Sequence, residues 1–435
     1  MSEKRLLDAT PKAGVIPRII IHGGAGNITR TSVPRDLYEK YRASLLRIVD
    51  LAAKQLAEPG ATALDVATYA VSLLEDDALY NSAHGAVFTR EGKNELECSI
   101  MVSNGYKKRG VGCMLLRHVK NPIKLARELL VRGQEVDGGG AGGHCQYSGE
   151  FAENLAQKWG LELVDPAYFF TERRWKEHLH GLEKENKLDG AGAQADQTSD
   201  FEKNNYIPLG TCGAVVVDSY GTVCTATSTG GLTNKVAGRI GDTPTIGAGF
   251  WAEEWYEEEA SAAQMVCQPV STLIDRLSRG DLYGVLGGCL PVLSSPSSRP
   301  ITTPLNQAHG DSSRQARHAV GLSGTGNGDS FLRTSAARTT AAKSRFSSQS
   351  LRDATTWMAG RGGELQKSAG DRWDGVHEGV GGIIGIEVIG NRAEVVQDYN
   401  GGGMFRAWTE ENGHRKCSIF RHDNWESGPL DWRDV

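Results

Sequence analysis

Gly210-Thr211-Cys212-Gly213-Ala214-Val215-Val216-Val217-Asp218-Ser219-Tyr220-Gly221-Thr222-Val223-Cys224-Thr225-Ala226-Thr227-Ser228-Thr229 is the most informative stretch of the chain. Two β-rich runs, residues 212–217 and 222–227, flank Asp218-Ser219-Tyr220-Gly221, which supplies turn chemistry, so the stretch reads as a β-hairpin. Positions symmetric about the turn of an antiparallel pair face each other. A three-residue loop sets Thr211 opposite Thr229, and a four-residue loop sets Ser228 there instead. Either register brings a second hydroxyl beside Thr211. Gly210 has no Cβ, accepts strained dihedrals and lets the Thr211 hydroxyl approach its carbonyl. Cleavage of the bond before Thr211 would free an α-amine next to the hydroxyl, and that amine can act as its base. A Thr-rich, half-buried hairpin without chemistry explains the hairpin alone equally well, because threonine favours strands in any case.

Outward from the hairpin, Arg18-Ile19-Ile20-Ile21-His22 reads as a buried strand entering the glycine loop Gly23-Gly24-Ala25-Gly26. Residues 62–75 carry an apolar helical stripe, with Thr62 and Asp65 resembling a capping box at its start. Residues 122–131 and 151–159 read as further helices. Residues 183–205 turn polar and read as a linker or mobile loop. A second β pair is expected over 382–389 and 392–396, joined by Gly390-Asn391. Residues 290–318, rich in Ser, Pro, Thr and Gln, read as a disordered surface insertion within a long stretch from about 254 to 318. Strands at both ends with helices between imply α+β or mixed α/β layers.

At 435 residues the chain fits one large or two ordinary domains. With 48 Lys and Arg against 53 Asp and Glu, it lacks the electrostatic footprint of a nucleic-acid or anionic-membrane binder. None of the eight cysteines stands in a CxxC pair, which argues against a zinc site. No apolar run approaches a membrane span, and residues 1–17 lack an apolar signal core, so a soluble cytoplasmic protein is expected. His22-Gly23-Gly24 resembles a hydrolase oxyanion loop, but no G-x-S-x-G elbow accompanies it. Gly324-Thr325-Gly326-Asn327-Gly328 is not followed by the Gly-Lys-Ser/Thr of a phosphate loop. His178 and His180 read as solvated side chains of a charged helix.

Several motifs, in order along the chain, resemble plant-type L-asparaginases, the isoaspartyl peptidases of the N-terminal nucleophile hydrolase superfamily. They are Ile21-His22-Gly23-Gly24-Ala25-Gly26; Leu74-Glu75-Asp76 with Asn81 and residues 85–90; Gly210-Thr211 with 213–218; Ala226-Thr227-Ser228-Thr229-Gly230-Gly231; Gly238-Arg239-Ile240-Gly241-Asp242; Thr325-Gly326-Asn327-Gly328-Asp329; and Asn400 with 403–408. The resemblance implies an α+β fold, an αββα sandwich, in a single domain over 1–435. Self-cleavage would divide it into an alpha chain, 1–210, and a beta chain, 211–435. It implies Thr211 as nucleophile, Thr229 as its hydrogen-bonding activator and Asn81 as its support. Thr325 and the Gly326 backbone would form the oxyanion hole. Arg239 would take the substrate α-carboxylate and Asp242 its α-ammonium, an arrangement suited to the carboxylate-matching fork of arginine. Backbone carbonyls from Leu74, Glu75 and the residues to Ala83 would hold a structural sodium. No cofactor is implied for catalysis.

The implied substrates are L-asparagine and β-aspartyl dipeptides, and the implied assembly is a dimer of alpha–beta heterodimers. The chain departs from the pattern in places. Ala83 stands where the family has glycine, and Val102-Ser103-Asn104-Gly105 where it tends to have Asp-Gly. Asn327-Gly328-Asp329 is closer to glycosylasparaginases, whereas Ser228-Thr229-Gly230-Gly231 favours the asparaginase branch. A glycosylasparaginase, a threonine-aspartase-like protease and a maturation-defective, non-catalytic homologue are the alternatives.

Overall fold

Ile19, Ile20 and Ile21 are all fully buried, but they serve two different cores: Ile19 and Ile21 join one apolar cluster and Ile20 another. This is the period-two alternation of a strand covered on both faces. In the computed structural model, which describes residues 14–190, 210–257, 316–347, 349–373, 377–421 and 423, that strand is β1 (Arg18–Gly26). It is followed by α1 (Arg35–Leu56), α2 (Ala63–Glu75), β2 (Leu96–Val102), β3 (Gly110–Leu116), α3 (Pro122–Arg132), β4 (Gln146–Ser148), α4 (Gly149–Lys158) and α5 (Glu172–Gly190). Then come β5 (Cys212–Val217), β6 (Val223–Thr229), β7 (Phe250–Glu257), β8 (Ala316–Gly326), α6 (Gly328–Thr334), α7 (Ala336–Phe346), α8 (Leu351–Ala359) and α9 (Glu364–Ala369). The described chain closes with β9 (Gly381–Ile389), β10 (Arg392–Tyr399), β11 (Gly403–Thr409) and β12 (Arg415–Phe420). The architecture is α+β.

One sheet has eight strands in the order β12-β11-β1-β5-β6-β2-β3-β4, and a second has four in the order β10-β9-β8-β7. Apolar residues of α1, α2 and α3, such as Leu45, Val71 and Leu125, share a core with Ile19, Ile21, Ala214 and Val216 of the larger sheet. Its other face, through Ile20, Val215 and Val217, shares a core with Ile384, Ile386 and Val388 of β9. Val320, Leu322 and Ile383 of the smaller sheet pack with Phe331, Ala337, Leu351 and Leu365 from α6 to α9. Val215 and Val217 therefore alternate with Ala214 and Val216 between two cores, which explains why the β5 run reads as uninterrupted apolar sequence.

The expected capping box is present: the Asp65 N–H donates to Thr62 Oγ1 at 3.1 Å, and the Thr62 hydroxyl donates to Asp65 Oδ2 at 2.7 Å. The late hairpin is β9–β10, with Ile389 paired to Arg392 around Gly390-Asn391. Two expectations are corrected. Residues 183–190 are helical rather than part of a linker, because α5 runs on to Gly190; residues 191–209 lie outside those described. The long stretch expected from 254 to 318 is narrower, since β7 extends to Glu257 and β8 begins at Ala316. The rest of that expected stretch, including 290–315, lies outside the described residues. The chain divides into two units, one of Met1–Trp255 with Arg317–Val435 and one of Tyr256–Ala316, of which only 256, 257 and 316 are described. No described helix is long and apolar enough to cross a membrane.

Candidate active site

The hairpin register settles the open pairing. Cys212 pairs with Ser228 and Val217 with Val223, and the Asp218 N–H donates to the Thr222 carbonyl at 3.2 Å, closing a three-residue loop. The ladder ends at Cys212 and Ser228, and extending its register by one residue sets Thr211 opposite Thr229. Ser228 turns away: its buried hydroxyl lies 2.6 Å from Ser82 Oγ and donates to Glu75 Oε1 at 2.7 Å. Burial pushes the Glu75 carboxyl up to about 8, and its Oε2 makes no hydrogen bond.

Thr211 and Thr229 line one cleft together with Gly210, Arg239, Asp242 and Gly326. The Thr211 hydroxyl is not bonded to Thr229; it lies 2.7 Å from Thr243 Oγ1, while Thr229 Oγ1 accepts the Gly231 N–H at 3.0 Å. Asn81 holds this second loop, donating from Nδ2 to the Gly231 carbonyl at 2.8 Å and accepting the Val87 N–H at 3.1 Å. Gly210 approaches the tip of β8 so closely that a Cβ on it would touch Thr325 Oγ1 and come within 2.9 Å of the Gly326 nitrogen. The Thr325 hydroxyl is buried and makes no hydrogen bond. Gly326 has φ +143° and packs its Cα against Val380 and Gly381, which only a glycine permits there.

A substituent on Gly328 would meet Asp242 Oδ1 at 2.7 Å and Arg239 Nη2 at 2.9 Å, so the two expected clamp residues converge beside that glycine. Arg239 Nη2 also donates to Asp329 Oδ1 at 2.9 Å. Burial first, and then the charge of Glu97, push the Asp242 carboxyl up to about 7, with Arg239 pulling the other way. Glu97, itself buried, accepts the Gly241 N–H at 2.9 Å between the two clamp residues.

The expected sodium loop has mixed features. The Glu75 carbonyl accepts the His84 N–H at 2.9 Å, and the Ala83 carbonyl accepts from Gly85 and Ala86 at 2.8 and 3.0 Å. The Leu74 carbonyl accepts from Asp77 at 3.4 Å. The carbonyls of Ala78 and Tyr80 close on the Cα of Gly85. Ala83 is fully buried with φ +42°, a left-handed conformation that a glycine would adopt without cost. Among the described residues no three His, Cys, Asp or Glu side chains group as metal ligands.

His178 is buried rather than solvated, 2.5 Å from Asn234 Oδ1 and packed on Phe88 and Trp175. His22, held neutral by burial that lowers it to about 3, lies 2.6 Å from Ser323 Oγ. Thr243 beside the nucleophile, and Glu97 and Arg174 lining the cleft, carry no motif signal in the sequence. Thr243 directly follows the Gly241-Asp242 motif, but only the folded loop turns its hydroxyl onto Thr211.

The family model described as asparaginase matches residues 15–261. An isoaspartyl peptidase of Salmonella typhimurium is 32% identical over 404 residues, covering 93% of this chain and 98% of the relative. An isoaspartyl peptidase of Escherichia coli is 41% identical over 236 residues, 54% of this chain and 67% of that protein. An isoaspartyl peptidase/L-asparaginase of Xenopus laevis is 37% identical over 237 residues, 54% of this chain and 67% of its own length.

Proposed function

This chain belongs to the asparaginase family, and from that premise we propose that it is a self-cleaving hydrolase of β-aspartyl amide bonds, acting on isoaspartyl dipeptides and L-asparagine. The observation that carries the reading is the seat of Gly210-Thr211 against Thr325 Oγ1 and the Gly326 nitrogen, in the cleft that Arg239 and Asp242 line. The Thr211 hydroxyl attacks the Gly210 carbonyl, whose developing oxyanion meets the Thr325 hydroxyl and the Gly326 N–H. The acyl group shifts from nitrogen to oxygen, which breaks the C–N bond and frees the Thr211 α-amine, and water then hydrolyses the ester, releasing the Gly210 carboxylate and the Thr211 hydroxyl.

The same groups then serve substrate. The α-amine takes the proton of the Thr211 hydroxyl as it attacks the β-carbonyl. The leaving amine departs protonated, and water hydrolyses the aspartyl ester. Paired oxyanion donors contribute about 3 kcal/mol each to such a step. Thr243 orients the nucleophile in the uncut chain, and Thr229, facing it across the ladder, takes over as hydrogen-bonding partner once the amine is free. Arg239 binds the α-carboxylate and Asp242 the α-ammonium, both of which a β-linked aspartyl residue keeps free.

Three packed cores between helices, two sheets and further helices support reading the α+β architecture as the αββα sandwich of N-terminal nucleophile hydrolases. Sodium is a hard cation that takes oxygen ligands, and we assign a structural sodium to backbone carbonyls between Leu74 and Ala83, of which those of Leu74, Glu75 and Ala83 also accept backbone N–H groups. A sodium there would stiffen the loop that carries Asn81, with no part in catalysis. The family likeness also supports assembly as a dimer of alpha–beta heterodimers. Isoaspartyl peptidase names among the relatives favour this reading over a glycosylasparaginase or a protein-directed protease.

The test is a denaturing gel with N-terminal sequencing. Two fragments are expected, the second beginning Thr-Cys-Gly, and Thr211→Ala should stay whole and inactive. A fully intact chain that is nonetheless active would overturn the mechanism.

A further inference from the structure

Glu95, Leu96 and Glu97 alternate as a strand does. Leu96 packs into the core beneath the helices, and the carboxylates on either side of it both turn to the loop that carries Arg239. Glu95 Oε2 accepts the Gly238 N–H at 2.8 Å, and Glu97 Oε1 accepts the Gly241 N–H at 2.9 Å. Arg239 is thus slung between two points bonded to neighbouring positions of one strand. In the β2–β6 ladder Glu97 pairs with Thr229, so the two side chains share a face of the sheet, and both residues line the cleft.

The second oxygen of Glu97 is buried and makes no hydrogen bond. A Cβ on Gly241 would lie 3.1 Å from that oxygen and 2.7 Å from Arg239 Nη1, so carboxylate and guanidinium border the same small space. The other end of the guanidinium, Nη2, is the one that meets Asp329. Lys235 is buried nearby, its ammonium donating to the Glu95 carbonyl at 2.8 Å. Burial lowers the Lys235 ammonium below its ordinary value; Glu97 acts most strongly against that, and Arg239 adds to it. Burial likewise raises the Glu97 carboxyl, with Lys235, the Gly241 N–H and Arg239 pulling it back. Two cations that repel each other therefore depend on one carboxylate.

Building on the reading of Arg239 as the α-carboxylate clamp, we infer that Glu97 is its positioning residue: one oxygen straps the clamp loop at Gly241, and the other supplies the counter-charge that keeps the Arg239 guanidinium seated against the repulsion of Lys235. Substrate does not touch Glu97 in this role. Glu97 sets where the arginine fork stands when an α-carboxylate arrives, and the fork pairs with a carboxylate in plane only if it is held in place.

The experiment compares matured wild type with Glu97→Gln, whose amide oxygen can still accept the Gly241 N–H but carries no charge. Inhibition constants against β-Asp-Leu hydrolysis at pH 8 are measured for aspartate, for succinate, which lacks the α-ammonium, and for β-alanine, which lacks the α-carboxylate. In Glu97→Gln the constants for aspartate and succinate should rise by about 10-fold or more, while that for β-alanine stays within about twofold. KM for β-Asp-Leu should rise with kcat nearly held, and self-cleavage should keep its wild-type pace. Adding Lys235→Gln should restore part of the lost affinity, because the repelling cation is gone. Unchanged constants for all three ligands, a rise for β-alanine, no recovery in the double variant, or a fall in kcat with slowed self-cleavage would each overturn the inference. If Glu97→Gln does not mature, Glu97→Asp, which draws the charge back by one methylene, decides by the same pattern across the three ligands. A wild-type enzyme that binds aspartate no more tightly than succinate and β-alanine would instead overturn the clamp itself, and one that turns over no β-aspartyl substrate would overturn the hydrolase reading.

Discussion

Replacing Asp242 by asparagine should stabilise the folded chain, and by an amount that depends on pH. Burial and the Glu97 charge push this carboxyl up to about 7 from its ordinary 3.8. Below that ordinary value it is protonated in folded and unfolded chains alike and contributes nothing. Between the two values the folded chain holds a proton that the unfolded chain has lost, so stability falls as pH rises, by about 1.4 kcal/mol per unit. Above 7 both forms are ionised and the full penalty, about 4 kcal/mol, remains. A neutral amide at this position carries no such penalty. The comparison is best made in a Thr211→Ala background, which keeps the chain in one piece, by urea unfolding at pH 4.5 and pH 8. The stability gained by Asp242→Asn should be larger at pH 8 by about 3 kcal/mol. In the cleavable chain the same substitution should abolish β-aspartyl turnover, and wild-type kcat/KM should fall as pH drops through about 7, where Asp242 takes up its proton. A stability gain equal at the two pH values would refute the claim that Asp242 is a desolvated acid awaiting a cation.

Thr243→Val should slow self-cleavage by roughly 5- to 10-fold, the worth of one hydrogen bond, with Thr243→Ser restoring it; a gel time course measures this. Arg239→Leu should lower kcat/KM for isoaspartyl dipeptides by about 30-fold or more while self-cleavage persists, and an unimpaired variant would remove the basis for the clamp. Gly326→Ala forces a methyl against the Val380 carbonyl and to 2.5 Å from the Gly381 Cα, so thermal melts should show a loss of at least about 2 kcal/mol of stability.

The parts of this molecule most legible in its sequence are those governed by local chemistry. Thr62 and Asp65 announce the start of α2, Gly390-Asn391 the turn between β9 and β10, and the symmetry about Tyr220 narrows the facing partner of Thr211 to two residues. The features that are not legible depend on context beyond the local window. The polar run after residue 183 continues a helix begun at Glu172, and extending a formed helix costs far less than starting one, so composition alone misleads there. His178 looks solvated beside charged neighbours until Asn234, from another loop, closes on it. Thr243 and Arg174 carry no spacing signal, since each matters through a neighbour more than thirty residues away in the chain, Thr211 for one and Gly85 for the other.

The proposed nucleophile and its oxyanion donors belong to different sheets. Thr211 directly precedes β5 in the eight-stranded sheet, and Thr325 and Gly326 end β8 in the four-stranded one. Their separation is therefore set by how the two sheets seat on one another, through Ile20, Val215, Ile384 and Ile386. This core works as a machinist's shim: its thickness fixes a gap elsewhere. Misplacement of about 1 Å at a reacting centre can cost on the order of 100-fold in rate. Trimming a methyl from Ile384, a residue that touches no substrate, would then register in turnover before it registered in folding.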